Sequence, residues 1–333
     1  MSPDLWPNSK SEATRYTDLS RANVFALEVG KIDTLISHPR ASGDPSANKT
    51  SATMDSRFRG NDDDLRISES LEITHTLPAA RATSTQNLII SKGAEVTLVE
   101  TIKSAKPGVG VARQQSTLTL EEGARLTHIR LQQIDASTFH WSTLNIELGR
   151  DAHYQQVTLN LGAALARQEI VAKLVAPGAH FGLAALQLLG ATQHGDITTQ
   201  VFHEAPHTSS SQLVKNVLTG QARGVYQGQI RVAPGAQKTD GQQQSRALLL
   251  SPQAEMNTKP ELEIFADDVK CSHGAAVGAL DDKALFYLRA RGISESEARG
   301  LLIAAFIGEV LEQAPEAQRA QLEQEAQTWL RQL

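Results

Sequence analysis

Glycine-bearing corners recur along the middle of this chain, and short strand-like runs fill the gaps between them. Lys92-Gly93-Ala94, Glu122-Gly123-Ala124, Gly149-Arg150-Asp151-Ala152, Pro177-Gly178-Ala179 and Pro234-Gly235-Ala236 share one flavour. Their glycines, Gly93, Gly123, Gly149, Gly178 and Gly235, fall about 28 residues apart or twice that. A fixed period in this range is the signature of a repeat architecture. The intervening runs, Leu88-Ile89-Ile90, Val96-Thr97-Leu98-Val99, Thr117-Leu118-Thr119-Leu120, Leu144-Asn145-Ile146-Glu147-Leu148 and Val157-Thr158-Leu159-Asn160-Leu161, alternate with a period of two and are rich in β-branched residues. Stacked coils of a β-helix, or β-solenoid, bury a narrow interior, for which aliphatic side chains suffice. Only 5% of the residues are aromatic, which suits that interior. A β-sandwich is the competing architecture; the regular corner period favours the solenoid.

The flanks differ from this middle. Residues 1–66 form an atypical segment, with a short helix expected at residues 11–24 and a disordered linker at residues 38–64. The linker is rich in Pro, Gly, Ser, Asn and charge. It resembles the translation of a bacterial palindromic repeat. The solenoid is expected over residues 67–278 and a helical region over 279–333. There, Asp281 caps a helix that Gly292 ends, and Ser294 with Glu297 makes a capping box. Ala298, Leu301, Leu302, Ala305, Phe306 and Val310 form an apolar stripe expected to pack within the tail or on the solenoid's end. Pro315 opens a last helix containing Ala326, Trp329, Leu330 and Leu333.

Composition narrows the functions. The net charge is −5, and no basic stripe interleaves with aromatics, so nucleic acid is not an expected partner. The N-terminus lacks an apolar leader, and apolar runs are too short to cross a bilayer, so no membrane role is expected. One cysteine excludes an internal disulfide and fits a reducing, cytoplasmic setting.

That cysteine, Cys271, lies in the stretch 258–278, with His273 two residues on and Gly274-Ala275-Ala276 following. Leu262, Ile264 and Val269 read as strand, with Pro260 limiting its start. Residues two apart on a strand share a face, so a thiolate and an imidazole would stand side by side, a pair suited to a transition metal or iron–sulfur species. Two donors complete no metal site, and a lone cysteine is more often a small buried hydrophobe. His203-Glu204-Ala205-Pro206-His207 matches the letters of a zinc-peptidase helix, but Pro206 breaks that helix. Asp267-Asp268 and Asp281-Asp282 read as solvated turns or helix starts. No Walker-type phosphate loop is present, and the glycines of residues 220–228 read as turns.

Three stretches, HTSSSQLVKNVLTGQARGVYQGQIRV (207–232), QKTDGQQQSRALLLSPQAEMNTKPELEIFADDVKCSHGAAVG (237–278) and LFYLRARGISESEARGLLIAAFIGEV (285–310), resemble the SufB/SufD family, scaffolds of the SUF iron–sulfur cluster assembly machinery. The single cysteine, and EATRYTDL at residues 12–19, make the chain most like the SufD-type members. The resemblance implies a right-handed parallel β-helix core with a C-terminal α-helical domain. It implies a non-enzymatic subunit that pairs with a SufB-type paralogue and binds the SufC-type ATPase, with a transient iron–sulfur cluster formed at the paralogue interface and no cofactor tightly bound alone. A homodimer in isolation is compatible with it. His273 and Cys271 match the family's Cys-x-His pair and would touch the cluster. Lys270, Ser272 and Gly274 are the expected SufB-type interface; Phe286, Tyr287 and Phe306 are the expected ATPase dock. A polysaccharide-active β-helix enzyme, marked by an acid-and-base cluster on one solenoid face, and an inactive truncated paralogue are the alternatives.

Overall fold

The computed structural model describes residues 64–333, with the backbone of three short strands before them, Val29–Gly30, Asp33–Ser37 and Ala52–Thr53. The expected helix at residues 11–24 and most of the expected linker lie outside the described residues.

From Leu71 onward, consecutive strands alternate between two sheets and pair in parallel within each, which is the path of a solenoid; Asp33–Ser37 adds to the second sheet antiparallel to Leu71–Leu77. The first sheet runs from Arg81–Ile90 through Val111–Leu120, Phe139–Leu148, Leu165–Leu174, His194–His203 and Arg223–Val232 to Glu255–Ile264. The second runs from Leu71–Leu77 through Glu95–Ser104, Arg125–Gln133, His153–Asn160, His180–Leu189, Ser209–Leu218 and Asp240–Leu249 to Lys270–Gly278. The repeat is uneven. Phe139 pairs with Leu165, 26 residues on, whereas Arg223 pairs with Glu255, 32 residues on.

The corners hold the coils in step. Gly93, Gly123, Asp151, Gly178, His207 and Lys238 all take positive φ. Their amides bond to carbonyls of the next coil: Gly93 to Glu122, Gly123 to Arg150, Asp151 to Pro177, Gly178 and His207 to His207 and Gln237, and Lys238 to Asp268. Two of the five expected corner glycines therefore do other work. Asp151 and Lys238, not Gly149 and Gly235, occupy the left-handed position. Gly149 is small because a Cβ there would lie 2.9 Å from the Leu120 carbonyl oxygen.

The interior is not purely aliphatic, contrary to the sequence expectation. Leu98, Leu118, Leu126, Ile146, Ile170, Phe181 and Val201 build an apolar core. Two polar seams run beside it. Glu100 lies fully inside, its carboxylate bonded to Arg130 Nε at 2.8 Å and within 3.1 Å of His75 Nε2 and 3.4 Å of His128 Nε2. Further along, an amide ladder crosses four coils. Gln132 donates to Asn160 at 3.1 Å, Asn160 to Gln187 at 3.0 Å, and Gln187 to Asn216 at 2.8 Å. Each buried amide would be costly without such a partner.

Three helices follow: α1 (Asp282–Ala290), α2 (Glu295–Leu311) and α3 (Glu316–Leu330). Asp281 caps α1 through the amides of Lys283 and Ala284, and both bonds of the Ser294–Glu297 box form at α2. Gly292, with φ of 87°, follows α1. The helices lie neither on themselves alone nor on the solenoid's end. Ile303, Ile307, Val310 and Leu311 of α2, with Leu322 and Ala326 of α3, cluster with Ile129, Leu131, Val157, Leu159, Leu186, Leu188, Leu213 and Val217. Those strand residues point away from the interior, so the helices cover the outer face of the second sheet. The buried stripe of α2 is rotated from the expected one: Leu301 and Ala305 are exposed, and Ile303 and Ile307 replace them. At about 1.5–3 kcal/mol per fully buried aliphatic side chain, this face holds the helices down.

Candidate functional site

The stretch 258–278 is two strands in different sheets, not one. Glu255–Ile264 and Lys270–Gly278 form the last coil, and each ends its sheet, with a pairing partner on one side only among the described residues. Pro260 sits in the middle of its strand, opposite Gly228, rather than at its start. An edge strand tolerates proline because the missing N–H can face outward, away from the ladder. The corner between the strands is pinned. Phe265 N donates to Val232 O at 3.0 Å, Asp268 N to Gln237 Oε1 at 2.9 Å, and Lys270 N to Thr239 O at 2.8 Å. Lys238 and Asp268 also pair side chain to side chain.

Alternation sorts the residues of Lys270–Gly278 into two sets. Cys271 and His273 stand in register with Gly241 and Gln243, whose side is the solenoid interior. Lys270, Ser272 and Gly274 face the other way. Cys271 is half-buried against Ile230, Val232, Ala236 and Ala266. A Cβ added to Gly241 would lie 3.4 Å from the Cys271 sulfur, so that glycine leaves room for it. Burial pushes the thiol pKa up, and Asp240 adds to the shift against a bond with Gly241. Cys271 is thus a packed thiol whose surroundings favour its protonated form. His273 is exposed at the open end. Beyond it Gly274, Ala275, Ala276 and Gly278 are all exposed, and Val277 is 45% exposed. A flat edge of small residues with one bare hydrogen-bonding side is a template for pairing with another strand. Among the described residues, no three His, Cys, Asp or Glu side chains converge as a metal site.

Helix α1 begins three residues after this strand and buries none of its side chains. Phe286 and Tyr287 on it are 74% and 57% exposed. Arg291 lies over the Tyr287 ring, 4.9 Å from its centroid. Phe306 is placed differently: it is partly buried in the helix–sheet cluster, and Lys215 Nζ lies 4.5 Å from its ring centroid. The structure brings Phe286 and Tyr287 together and puts Phe306 on the solenoid side.

Other motifs resolve structurally. His203 is buried, with Nδ1 2.8 Å from Thr208 Oγ1 and Nε2 2.9 Å from Ser210 Oγ, while His207 makes an exposed corner. The glycines at 224 and 228 are not turns; they lie within the strand Arg223–Val232. An acid-and-base cluster does exist on the outer face of the first sheet, where Arg167 bonds Glu169 and Asp196 beside Trp141. Arg167 and Asp196 are 1% and 0% exposed, so the cluster is a buried ion pair and offers no open groove. The Glu100 seam was missed from sequence. Its signal was there: Glu100, His128 and Arg130 occupy inward positions of otherwise alternating apolar strands.

The description "SUF system FeS cluster assembly, SufBD core domain" matches residues 75–306. The chain belongs to the SufBD family. A SufBD family iron-sulfur cluster assembly protein of Synechocystis is 37% identical over 236 residues, covering 68% of this chain and 52% of that protein. The iron-sulfur cluster assembly protein SufD of Escherichia coli is 35% identical over 226 residues, covering 68% of this chain and 53% of that protein. A SufBD family protein of Mycobacterium tuberculosis is 29% identical over 259 residues, covering 74% of this chain and 64% of that protein. The chain spans about half the length of the first two relatives. The SufBD core match takes in the whole edge strand Lys270–Gly278 and most of α2. No helix among the described residues is long and apolar enough to cross a membrane.

Proposed function

We propose that this SufBD chain is a non-catalytic scaffold subunit of a SUF iron–sulfur cluster assembly complex. The observation that carries the reading is the open last coil, whose bare edge holds Cys271 and His273 on the interior face and small residues beyond them. A SufB-type paralogue pairs with this edge, along Lys270, Ser272 and Gly274. The nascent cluster is cargo at that interface. Cys271 and His273 supply two donors and the partner supplies the rest. A set shared between two chains opens when they separate, so it can release what it holds, unlike a closed four-cysteine cage.

The SufC-type ATPase docks on α1 through Phe286 and Tyr287, whose exposure is large for aromatic side chains. Only residues 279–281 separate α1 from the edge strand, so a pull on α1 reaches the cluster-bearing edge directly.

The test is co-expression of the wild-type chain and His273→Ala with the cognate SufB-type and SufC-type proteins, followed by loading with iron and sulfide. The expected result is an assembled complex in both, with cluster absorbance lost only in the variant. Failure of the wild-type chain to join any complex would overturn the scaffold reading in favour of an inactive paralogue.

A further inference from the structure

We propose that Gln243, locked by Tyr226 in a gap left open by Gly228, is the positioning residue that orients His273 at the end of the solenoid. The inference deepens the reading of His273 as a cluster-touching group and rests on it. Four observations carry it.

Gln243 is the register partner of His273 on the preceding coil, and both side chains project to the interior face. In a parallel ladder such side chains stack one strand spacing apart, about 4.8 Å. Gln243 is therefore the next side chain inward from His273 in this interior column. It is 1% exposed, whereas His273 is exposed.

Gln243 cannot turn freely. Its Nε2 donates to the Glu261 carbonyl at 3.1 Å, which ties it to the neighbouring edge strand. Its Oε1 accepts from the Tyr226 hydroxyl at 3.2 Å. One side chain on the strand Asp240–Leu249 thus reaches the edge strand Glu255–Ile264 directly and the strand Arg223–Val232 through a buried phenol.

The phenol is itself held. Thr199 Oγ1 lies 3.4 Å from the Tyr226 hydroxyl, and Gln212 Oε1 lies 3.3 Å from it. Gln212 Nε2 is buried with no hydrogen-bond partner. Turning that amide end over gives the phenol a donor and frees its single proton for Gln243. The result is a one-directional chain: Gln212 to Tyr226, Tyr226 to Gln243, Gln243 to Glu261. Burial raises the Tyr226 pKa, so the phenol keeps its proton and remains a donor.

The space for this contact exists only because residue 228 is glycine. A Cβ there would fall 2.2 Å from Gln243 Oε1 and 2.4 Å from the Tyr226 hydroxyl. Gly228 has no positive φ to explain it. Its reason is the room it leaves beneath His273.

The experiment uses the full chain with ¹⁵N-labelled histidine, and follows ring resonances in wild type, Gln243→Leu and Tyr226→Phe. His273→Ala assigns the His273 signals. Leucine already occupies this interior column at Leu183, and phenylalanine keeps the ring of Tyr226, so both variants are built to fold. The expected result is displaced or doubled His273 signals in both variants, with His203 signals unchanged. Cluster loading in the co-expressed complex should fall several-fold in parallel. Unchanged His273 signals in either folded variant would overturn the positioning role, even if loading fell. Displaced signals together with full loading of the His273→Ala complex would support the positioning role and overturn the cluster-touching role of His273.

Discussion

Lys215 rises from the outer face of the strand Ser209–Leu218 and donates to the backbone carbonyl of Phe306, 2.6 Å away in the middle of α2. The ammonium is 2% exposed and pairs with Glu309, which also receives Arg246. The hydrogen bond from Lys215 holds the Glu309 carboxyl below the usual range, outweighing its partial burial. Glu309→Gln leaves a buried ammonium with less compensation. Because Glu309 is about half exposed, the expected loss is modest, about 1 kcal/mol in urea denaturation. Lys215→Met removes the charge altogether and should cost no more than that. Since the Glu309 pKa is depressed on folding, its contribution is fully present above the unfolded carboxylate pKa. It is lost as pH falls through the folded value, so stability should drop by about 1 kcal/mol over that acid range in the wild-type chain and not in Glu309→Gln.

Inside the solenoid the same logic is stronger. Burial alone would raise the Glu100 pKa, but Arg130, with His128 and His75, holds it well below the ordinary carboxylate value. Glu100→Gln strands the buried Arg130 charge and should cost about 3–5 kcal/mol in urea denaturation. Adding Arg130→Met should recover part of that loss, a coupling that independent sites would not show. The ion pair stabilises above the unfolded carboxylate pKa and fails as pH drops towards the folded value.

The solenoid was legible because its corner period and its two-residue alternation agree. The alternation also hid something. Leu98, Glu100 and Ile102 all point inward, and a reader expecting an apolar lumen takes the glutamate as an outward residue out of step. Only the neighbouring coils, bringing His75, His128 and Arg130 to it, make a buried carboxylate tolerable, and that pairing spans about 30 residues. The Cys271–His273 face was legible from spacing alone. That Pro260 lies mid-strand was not, because an edge position is a property of the whole sheet. The stripe of α2 was misread because its exposed Leu301 and Ala305 look as apolar as its buried Ile303 and Ile307.

Two glycines that look alike in sequence should respond oppositely. Gly149→Ala places a methyl 2.9 Å from the Leu120 carbonyl and must push two coils apart. It should lower the melting temperature by several degrees. Gly235 has open space around its Cβ position and no positive φ. Gly235→Ala should stabilise by about 0.4–1 kcal/mol, by restricting the unfolded chain. Paired thermal melts test both.

Phe286→Asp and Tyr287→Asp should abolish binding of the SufC-type ATPase in a pull-down, with stability changed by less than about 0.5 kcal/mol, because neither side chain is buried. Phe306→Asp should instead destabilise the chain, since it places a carboxylate in the helix–sheet cluster beside Phe306's apolar neighbours. Retention of ATPase binding by both exposed-site variants would move the dock elsewhere.

The central claim is that the bare edge at the end of the solenoid is where the paralogue pairs. Hydrogen exchange of the strand Lys270–Gly278, read by mass spectrometry in the free chain and in the complex with its SufB-type partner, tests it most directly. The account predicts fast exchange along this edge in the free chain and strong protection on pairing. Protection confined to other strands, with Lys270–Gly278 exchanging as fast as before, would contradict it.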